Sequence, residues 1–584
     1  LPYRLIAGGR GYVKSISIDI ETLSSADLAK CGVYRYAESD DFAVILFGYS
    51  ADGGMINVVD LANGEKIPSE ILSALTDDSV TKWAWNSQFE RVCLSRHLGL
   101  PLGTYLSPKA WRCSMVWSAI MGMPMSLAEA GAVFGLEKQK LTEGRELIKR
   151  FCTLPRRAPQ MTIFGNDTDW ERFKAYCKRD VEVEMAIKNG LSRFPVPDMV
   201  WEEFIRDQEM NDRGVLIDVE LAHQAVTADG TISGKLLSEM RDITGVNNPK
   251  SVAQLKEWFA MRGISLESLN KKDIAAARPD INDKTALRVL ELRELTAKSS
   301  IKKYSAMLEY ACADNRARGC FQFYGVSTGR SAGRGIQMQN LYRNDTQHLS
   351  DIRSLVKSGA ADSVPILYDI SIPQALSELC RTALIPKEGC RFYVSDFSAI
   401  EARIVAWFAG EDWVLDEFRG EGKIYEAAAA SMYGVPKESI GKHNPLRQKG
   451  KQATLACGYA GGVGALRSMG ARGSDDELKE IVNRWRTANP KIVKLWYALE
   501  KAALTAVIEK SKAGTHGIEF SYERKRLFMR LPSGRRLCYN KPVIKENKFG
   551  RDAVFFEGVG KSRKWMELQT YGGLWTEELV GATP

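Results

Sequence analysis

The chain has 584 residues, 45% of them apolar and 26% charged, with a net charge of +9. That length exceeds one hydrophobic core and implies three or four domains, while the ordinary composition excludes extensive disorder. The longest apolar runs, such as Phe42–Gly48, fall short of the ~18 residues of a membrane span, and no secretory signal opens the chain. Eleven cysteines without a Cys-x-x-Cys pair, and only five histidines, exclude a zinc ribbon or a disulfide scaffold. Reduced, mostly buried thiols in a soluble cytoplasmic protein with no membrane partner are expected.

Leucine stands at position 1 and the first methionine is Met55, so the first dozen residues are expected to lie outside the first domain. Residues 13–21 alternate as a strand, and Phe42–Phe47 reads as a second, buried one. Helical patterns follow at 126–134 and 170–189, and Pro195-Val-Pro197 closes an α/β unit over 13–196. Residues 197–320 are strongly helical, and a Gly- and Arg-rich loop occupies 325–335. From Arg391 the pattern predicts a strand, then helices to about 511, then strands and turns. The fold class expected is α/β multi-domain.

Asp19-Ile20-Glu21 ends the first strand, where alternation turns both carboxylates to one face, able to reach one metal pair. Trp85-Asn-Ser-Gln-Phe-Glu90 sets another acid directly after a strand-like Trp83–Trp85. In Tyr176-Cys-Lys-Arg-Asp180 the i,i+4 spacing stacks a phenol on a carboxylate along a helix. Taken singly, each is as well read as a solvated surface acid. In this order they resemble the three motifs of the DEDD 3′→5′ exonuclease superfamily, whose domain has a ribonuclease-H-like fold. The resemblance implies that Asp19, Glu21 and Asp180 hold two Mg²⁺ or Mn²⁺ ions, with Tyr176 orienting the nucleophile. Glu90 departs from the usual Asp and is one methylene longer.

Phe392-Tyr-Val-Ser-Asp396-Phe-Ser-Ala-Ile-Glu401 reads as an apolar strand delivering one acid into a helix start. Ser398 and Glu401 have the spacing of a capping box, the structural alternative for Glu401. Arg447, Lys451, Leu455 and Tyr459 recur every four residues, and each step drifts only ~40° around a helix, so they share one stripe. Two cations, an apolar residue and an aromatic match the phosphates, sugar and base of a nucleotide. The two segments resemble motifs A and B of family A DNA polymerases (the DNA polymerase I type), with the flavour of compact phage or prophage enzymes.

That resemblance implies a right-hand polymerase of thumb, palm and fingers behind the exonuclease domain. Its expected parts are a thumb at 197–320, a first palm part at 321–411, fingers at 412–505 and a second, incomplete palm part at 506–584. Asp396 and the backbone carbonyl of Phe397 are expected to bind two more ions. Arg447 and Lys451 would hold the triphosphate, Tyr459 would sit at the templating end, and Glu401 with Tyr459 would exclude a ribose 2′-hydroxyl. Leu455 stands where cellular relatives carry an aromatic. Ser327-Thr-Gly-Arg330 and Gln339-Asn340 resemble elements at the primer terminus. The partners implied are primer–template DNA, deoxynucleoside triphosphates and other replication proteins.

Between Lys510 and Arg551, twelve Lys/Arg face three Asp/Glu, and interleaved aromatics suggest a ribbon along phosphates, with Arg524, Lys525 and Arg526 at its centre. Gly560-Lys-Ser562 imitates the end of a phosphate-binding P-loop, but Phe555 occupies the first glycine position. The resemblance to family A polymerases implies a second metal-binding acid in a His-Asp pair, motif C, yet none of His97, His223, His348, His443 and His516 precedes an Asp. The expectation is therefore truncation before motif C, with polymerisation by this chain doubtful. The alternatives are a 3′→5′ exonuclease only or a non-catalytic DNA-binding scaffold.

Overall fold

A computed structural model describes residues 12–137, 144–153, 168–296 and 301–583. The expectation for the first dozen residues thus falls almost wholly outside the described ones. The first strand, β1 (Ser15–Leu23), lies two residues later than its pattern predicts and is followed by β2 (Ala43–Ala51), β3 (Ile56–Asp60), β4 (Thr81–Ala84) and β5 (Trp111–Cys113). The sheet order is β3-β2-β1-β4-β5, with β1 antiparallel to β2 and parallel to β4. Ile16, Ile18 and Ile20 of β1 enter one core. Alternation then turns Ser17, Asp19 and Glu21 toward the opposite face, against which the helix Thr168–Leu191 packs.

The helices after residue 197 form two cores. Leu236, Leu255, Phe259, Val289 and Leu292 make a small distal one. The larger joins Ile217, Leu221 and Tyr304 to Ile336, Ile352, Leu376 and Ala383. Residues 336–383, expected in the first palm part, therefore pack with the helical segment before them. The amphipathic helices Leu349–Lys357 and Ile372–Leu379 bury their apolar faces against Val219–Thr244, which supplies the matching face.

Six antiparallel strands from Lys512 to Gln569 form the C-terminal sheet. One core unites this sheet, through Phe520, Leu527 and Val554, with Ala456, Trp485 and Leu499 of the preceding helices and Trp575 and Leu579 of Gly572–Ala582. The expected border near 505 between fingers and palm thus crosses continuous packing. A fifth core ties the first domain to the rest: Trp117, Phe194 and Trp201 meet Phe323, Tyr324 and Phe528. At this seam Asn540 Nδ2 donates to the Met121 carbonyl at 3.0 Å. Gly122, at φ 65°, is required there, because a Cβ would sit 2.5 Å from the Cys538 carbonyl oxygen.

All eleven cysteines are free and eight are buried, as their scatter predicts. No helix among the described residues is long and apolar enough to cross a membrane.

Asp207 in the helix Asp198–Arg213 is 5% exposed and accepts from Gln208 Nε2 at 3.2 Å and Asn211 Nδ2 at 3.0 Å. Burial pushes its carboxyl up to about 7 against those hydrogen bonds. The folded state therefore holds the proton more tightly than the unfolded chain does. The stabilisation is full below pH ~4 and is lost as the pH rises to about 7. Asp207→Asn removes this dependence, worth up to ~4 kcal/mol. Urea midpoints of both proteins across that window are expected to diverge in favour of the variant, and parallel curves would count against a protonated Asp207.

Candidate functional site

The first site forms where β1 meets the helix Thr168–Leu191. β1 brings Asp19 and Glu21, and the helix returns Tyr176 and Asp180 one turn apart. Glu90 arrives from the first turn of the helix Ser87–His97, which the chain enters through Asn86 in the left-handed conformation, φ 71°. Glu21, Glu90, Tyr176 and Asp180 are all buried. Burial, then the charge of Asp19, raises the Glu90 carboxyl well above the usual range, with Glu184 and Glu21 adding to it. Burial, then Asp180, Glu21 and Asp19, raises the Tyr176 phenol in the same way. Tyr176 is therefore a neutral O–H donor at physiological pH.

The five expected residues of this site are brought together. Sequence reasoning missed others. Cys177 places Sγ within 4.8 Å of carboxylate oxygens of both Asp19 and Glu21. Glu184, which accepts from Ser114 Oγ, and Lys188, which donates to Ser17 Oγ at 2.5 Å, continue the stripe of Tyr176 and Asp180 at every fourth residue. That periodicity was the available signal. The cluster fits a divalent cation: its carboxylates converge, and the buried Glu90 Oε2 has no hydrogen-bond partner among the described residues.

The second site is a cleft of about 460 Å³ lined by Arg330, Asp396, Glu401, Leu455 and Tyr459 among others. The segment carrying Asp396 is not a strand. Phe392, Tyr393 and Val394 are 48%, 82% and 88% exposed. Among the described residues no strand lies beside them, so these consecutive apolar residues have no partner to bury them. The Phe397 carbonyl accepts from the Ile400 amide at 3.3 Å. Asp396 belongs to no group of three or more converging ligand side chains among the described residues. The expected pair of ions at Asp396 and Phe397 calls for further oxygens, since hard cations take several.

The capping box is also overturned. Ala399, at φ 50°, precedes the helix Ile400–Ala409, and no side chain caps it. Glu401 instead reaches across the cleft: Arg330 Nη1 donates to its Oε1 and the Tyr459 hydroxyl to its Oε2, each at 3.2 Å. Burial and then Glu401 raise the Tyr459 phenol, so it stays a donor.

The helix Pro445–Cys457 starts at Asn444, whose side chain accepts from the Leu446 amide at 2.9 Å. Arg447, Lys451 and Leu455 lie along it, and Tyr459 follows in the turn after its end. Gly450 lets this helix approach Ile424–Tyr433, because a Cβ there would stand 2.3 Å from the Tyr425 carbonyl oxygen. The close approach pairs Arg447 Nε with Glu426 Oε1 at 2.5 Å and sets Arg447 and Lys451 5.7 and 6.0 Å from the Tyr425 ring.

Around these sites, Gln339 and Asn340 are exposed in a single 3-10 turn, Met338–Asn340. Arg535 Nη1 donates to the Thr328 carbonyl at 2.7 Å, steadying the turn that presents Arg330.

The basic stretch is the strands expected, but many of its cations are spent on acids: Lys512 on Glu519, Arg536 on Glu523, Lys541 on Glu557, Lys545 on Glu567. Arg524 and Lys525 form an exposed two-residue hairpin turn at φ 50° and 63°. Arg526, expected to bind DNA, is committed instead to the domain seam, bonded to Asn540 at 3.1 Å and 4.9 Å from the Phe194 ring. The neighbouring sheet residue and domain contact claim its guanidinium. Replacing Arg524 and Lys525 by Ala is expected to flatten the log–log salt slope of duplex binding by up to ~1.8, at ~0.9 per phosphate. Fluorescence anisotropy at graded salt measures it, and an unchanged slope would make the hairpin a merely solvated one.

The family model for DNA polymerase family A matches residues 233–514. The chain is 47% identical over 583 residues to the DNA polymerase of Bacillus phage SP02, covering 98% of this chain and 89% of that one. A thermostable DNA polymerase I from Thermus aquaticus is 28% identical over 192 residues, covering 31% of this chain and 22% of that one. Among solved structures, the POL domain of Pol1 from M. smegmatis, in complex with DNA primer-template and dNTP, aligns with a TM-score of 0.55 at 13% identity. That alignment covers 96% of this chain and 82% of that one. At that identity the likeness is one of fold.

Proposed function

Because the chain belongs to DNA polymerase family A and is a DNA-directed DNA polymerase, we propose that it carries two chemistries. It joins deoxynucleotides to a primer at the cleft around Glu401, and it removes them from 3′ ends at the acid cluster beside β1. The substrates are primer–template DNA and deoxynucleoside triphosphates, the ligands named for the M. smegmatis domain.

The observation that carries this reading is the meeting of Arg330, Glu401 and Tyr459 across one cleft. Glu401, drawn across the cleft by Arg330 and Tyr459, and the Tyr459 ring wall the place a ribose 2′-hydroxyl would occupy and leave it little room. Deoxyribose lacks that group and fits. Lys451 and Arg447 face the triphosphate, Arg447 after leaving Glu426. Arg330 and Gln339 suit minor-groove acceptors that every base pair offers, which checks pair shape without reading sequence.

At the acid cluster, Asp19, Glu21 and Asp180 would hold divalent cations, Mg²⁺ or Mn²⁺, with Glu90 behind them. When bound, such a cation supplies positive charge against the charge developing on the cleaved phosphodiester. Tyr176, kept neutral by its surroundings, orients the attacking water through its hydroxyl.

A nuclease-only reading draws on one observation, that Asp396 belongs to no group of three or more converging ligand side chains among the described residues. A labelled primer–template with Mg²⁺ separates the two. The proposal expects shortening without deoxynucleotides and template-directed extension with all four. Shortening alone favours the nuclease reading, and neither product would overturn both.

A further inference from the structure

Cys177 lies one residue after Tyr176 and three before Asp180, a spacing that turns it with Asp180 toward β1. Its Sγ is 3.9 Å from the Asp19 backbone oxygen. A Cβ on Gly48 of β2 would come within 2.9 Å of the same sulfur. A glycine on the adjacent strand therefore makes the space in which the thiol sits against the acids.

Three ligand atoms, one each from Asp19, Glu21 and Cys177, lie within 4.8 Å of one another. Ligand atoms around a four-coordinate Zn²⁺ stand ~3.5 Å apart, given metal–ligand bonds of ~2.0–2.3 Å, so modest side-chain rotation closes the set. The fourth side is independently prepared: Glu90 is 3% exposed, its Oε2 has no hydrogen-bond partner among the described residues, and its charge couples to those of Asp19 and Glu21. A second thiol, Cys152 Sγ, stands 3.9 Å from Glu21 Oε2. Carboxylates alone suit Mg²⁺ and Mn²⁺, whereas a thiolate shifts preference toward borderline-soft and soft cations.

We propose that Cys177 makes the Asp19–Glu21 cluster a mixed oxygen–sulfur site that captures thiophilic divalent cations, Zn²⁺ or Cd²⁺, and that capture arrests removal of 3′ nucleotides. On binding, the S–H bond breaks, a sulfur–metal bond forms and the proton passes to buffer. No electron changes hands. The arrest follows from geometry: a cation held by sulfur draws Asp19 and Glu21 inward, away from the positions in which they serve a phosphodiester. This second half rests on the exonuclease reading, while the binding half does not.

The test uses the full 584-residue chain, reduced and chelator-treated, with Cys390→Ser to remove the exposed thiol. Cd²⁺ is the probe, followed through the thiolate-to-cadmium charge-transfer absorption. One equivalent of band is expected, with apparent affinity falling about 100-fold in Cys177→Ser and also in Asp19→Asn. Cys177→Ala, checked for folding by circular dichroism, repeats the measurement with a side chain that cannot ligate. A band unchanged in folded Cys177→Ser or Cys177→Ala overturns the proposal.

Degradation of a labelled 3′ end is then measured in Mg²⁺ with and without Cd²⁺, as a ratio within each protein. The ratio is expected to fall for the parent and recover for the Cys177 variants. Equal sensitivity of both also overturns the proposal. Absence of any degradation in the parent, with the cadmium band intact, would instead remove the exonuclease reading and leave the binding site standing.

Discussion

Replacing Asp19 and Glu21 together by Ala is expected to lower degradation of a labelled 3′ end by at least ~10³-fold, the several kcal/mol that metal-held charge contributes to a phosphodiester transition state. Both residues leave the same strand face and the same candidate metal-binding cluster, so no single neighbour replaces them. Unfolding is not the expected cause. The cluster gathers the buried carboxylates of Glu21, Glu90, Asp180 and Glu184 beside Asp19, and like charges at close range oppose folding. Removing two of them is expected to leave the melting temperature equal or higher. DNA binding, carried by other surfaces, is expected to persist. The check is a gel assay of 3′-end shortening beside a thermal melt. Undiminished shortening in the folded double variant would move the nuclease chemistry elsewhere.

The second large effect is expected at the helix Pro445–Cys457. Charge-assisted contacts contribute about 1.5–3 kcal/mol each, so Arg447→Ala with Lys451→Ala is expected to weaken deoxynucleoside triphosphate binding by about 10³-fold. Glu426 gives the prediction a second sign. Its pairing with Arg447 at 2.5 Å must open before the guanidinium meets a phosphate, so Glu426→Gln is expected to tighten binding by several-fold. Equilibrium titration of the chain on primer–template measures both without requiring turnover. Unaltered affinity in the double variant would return the stripe to an ordinary amphipathic helix, and weaker binding by Glu426→Gln would show that Glu426 positions Arg447.

Much of the acid cluster beside β1 was legible because it rests on two periodicities of the backbone. Alternation alone turns Asp19 and Glu21 to one face, and a four-residue step alone stacks Tyr176 on Asp180. Carried two turns further, that step reaches Glu184 and Lys188, which patterns of familiar motifs passed over. The cleft around Glu401 was legible in a different way. Its residues were named from resemblance, and the structure adds the contacts of Glu401 with Arg330 and Tyr459, 71 and 58 positions away in the chain.

What local pattern could not supply was decided by what lies alongside. The run from Phe392 to Val394 has the composition of a buried strand, yet it stays exposed, because a strand needs neighbours to receive its hydrogen bonds and apolar side chains. Arg526 carries the same charge as Arg524 and Lys525, yet only the fold shows that Phe194 and Asn540 claim it. Cys177 reads as one more buried thiol until Gly48 on the neighbouring strand opens the space that brings it to Asp19 and Glu21. Sequence by itself determined which faces the strands and helices present, since that follows from backbone geometry residue by residue. The tertiary structure alone decided which side chains meet, because each meeting depends on the shape and charge of segments distant in the chain.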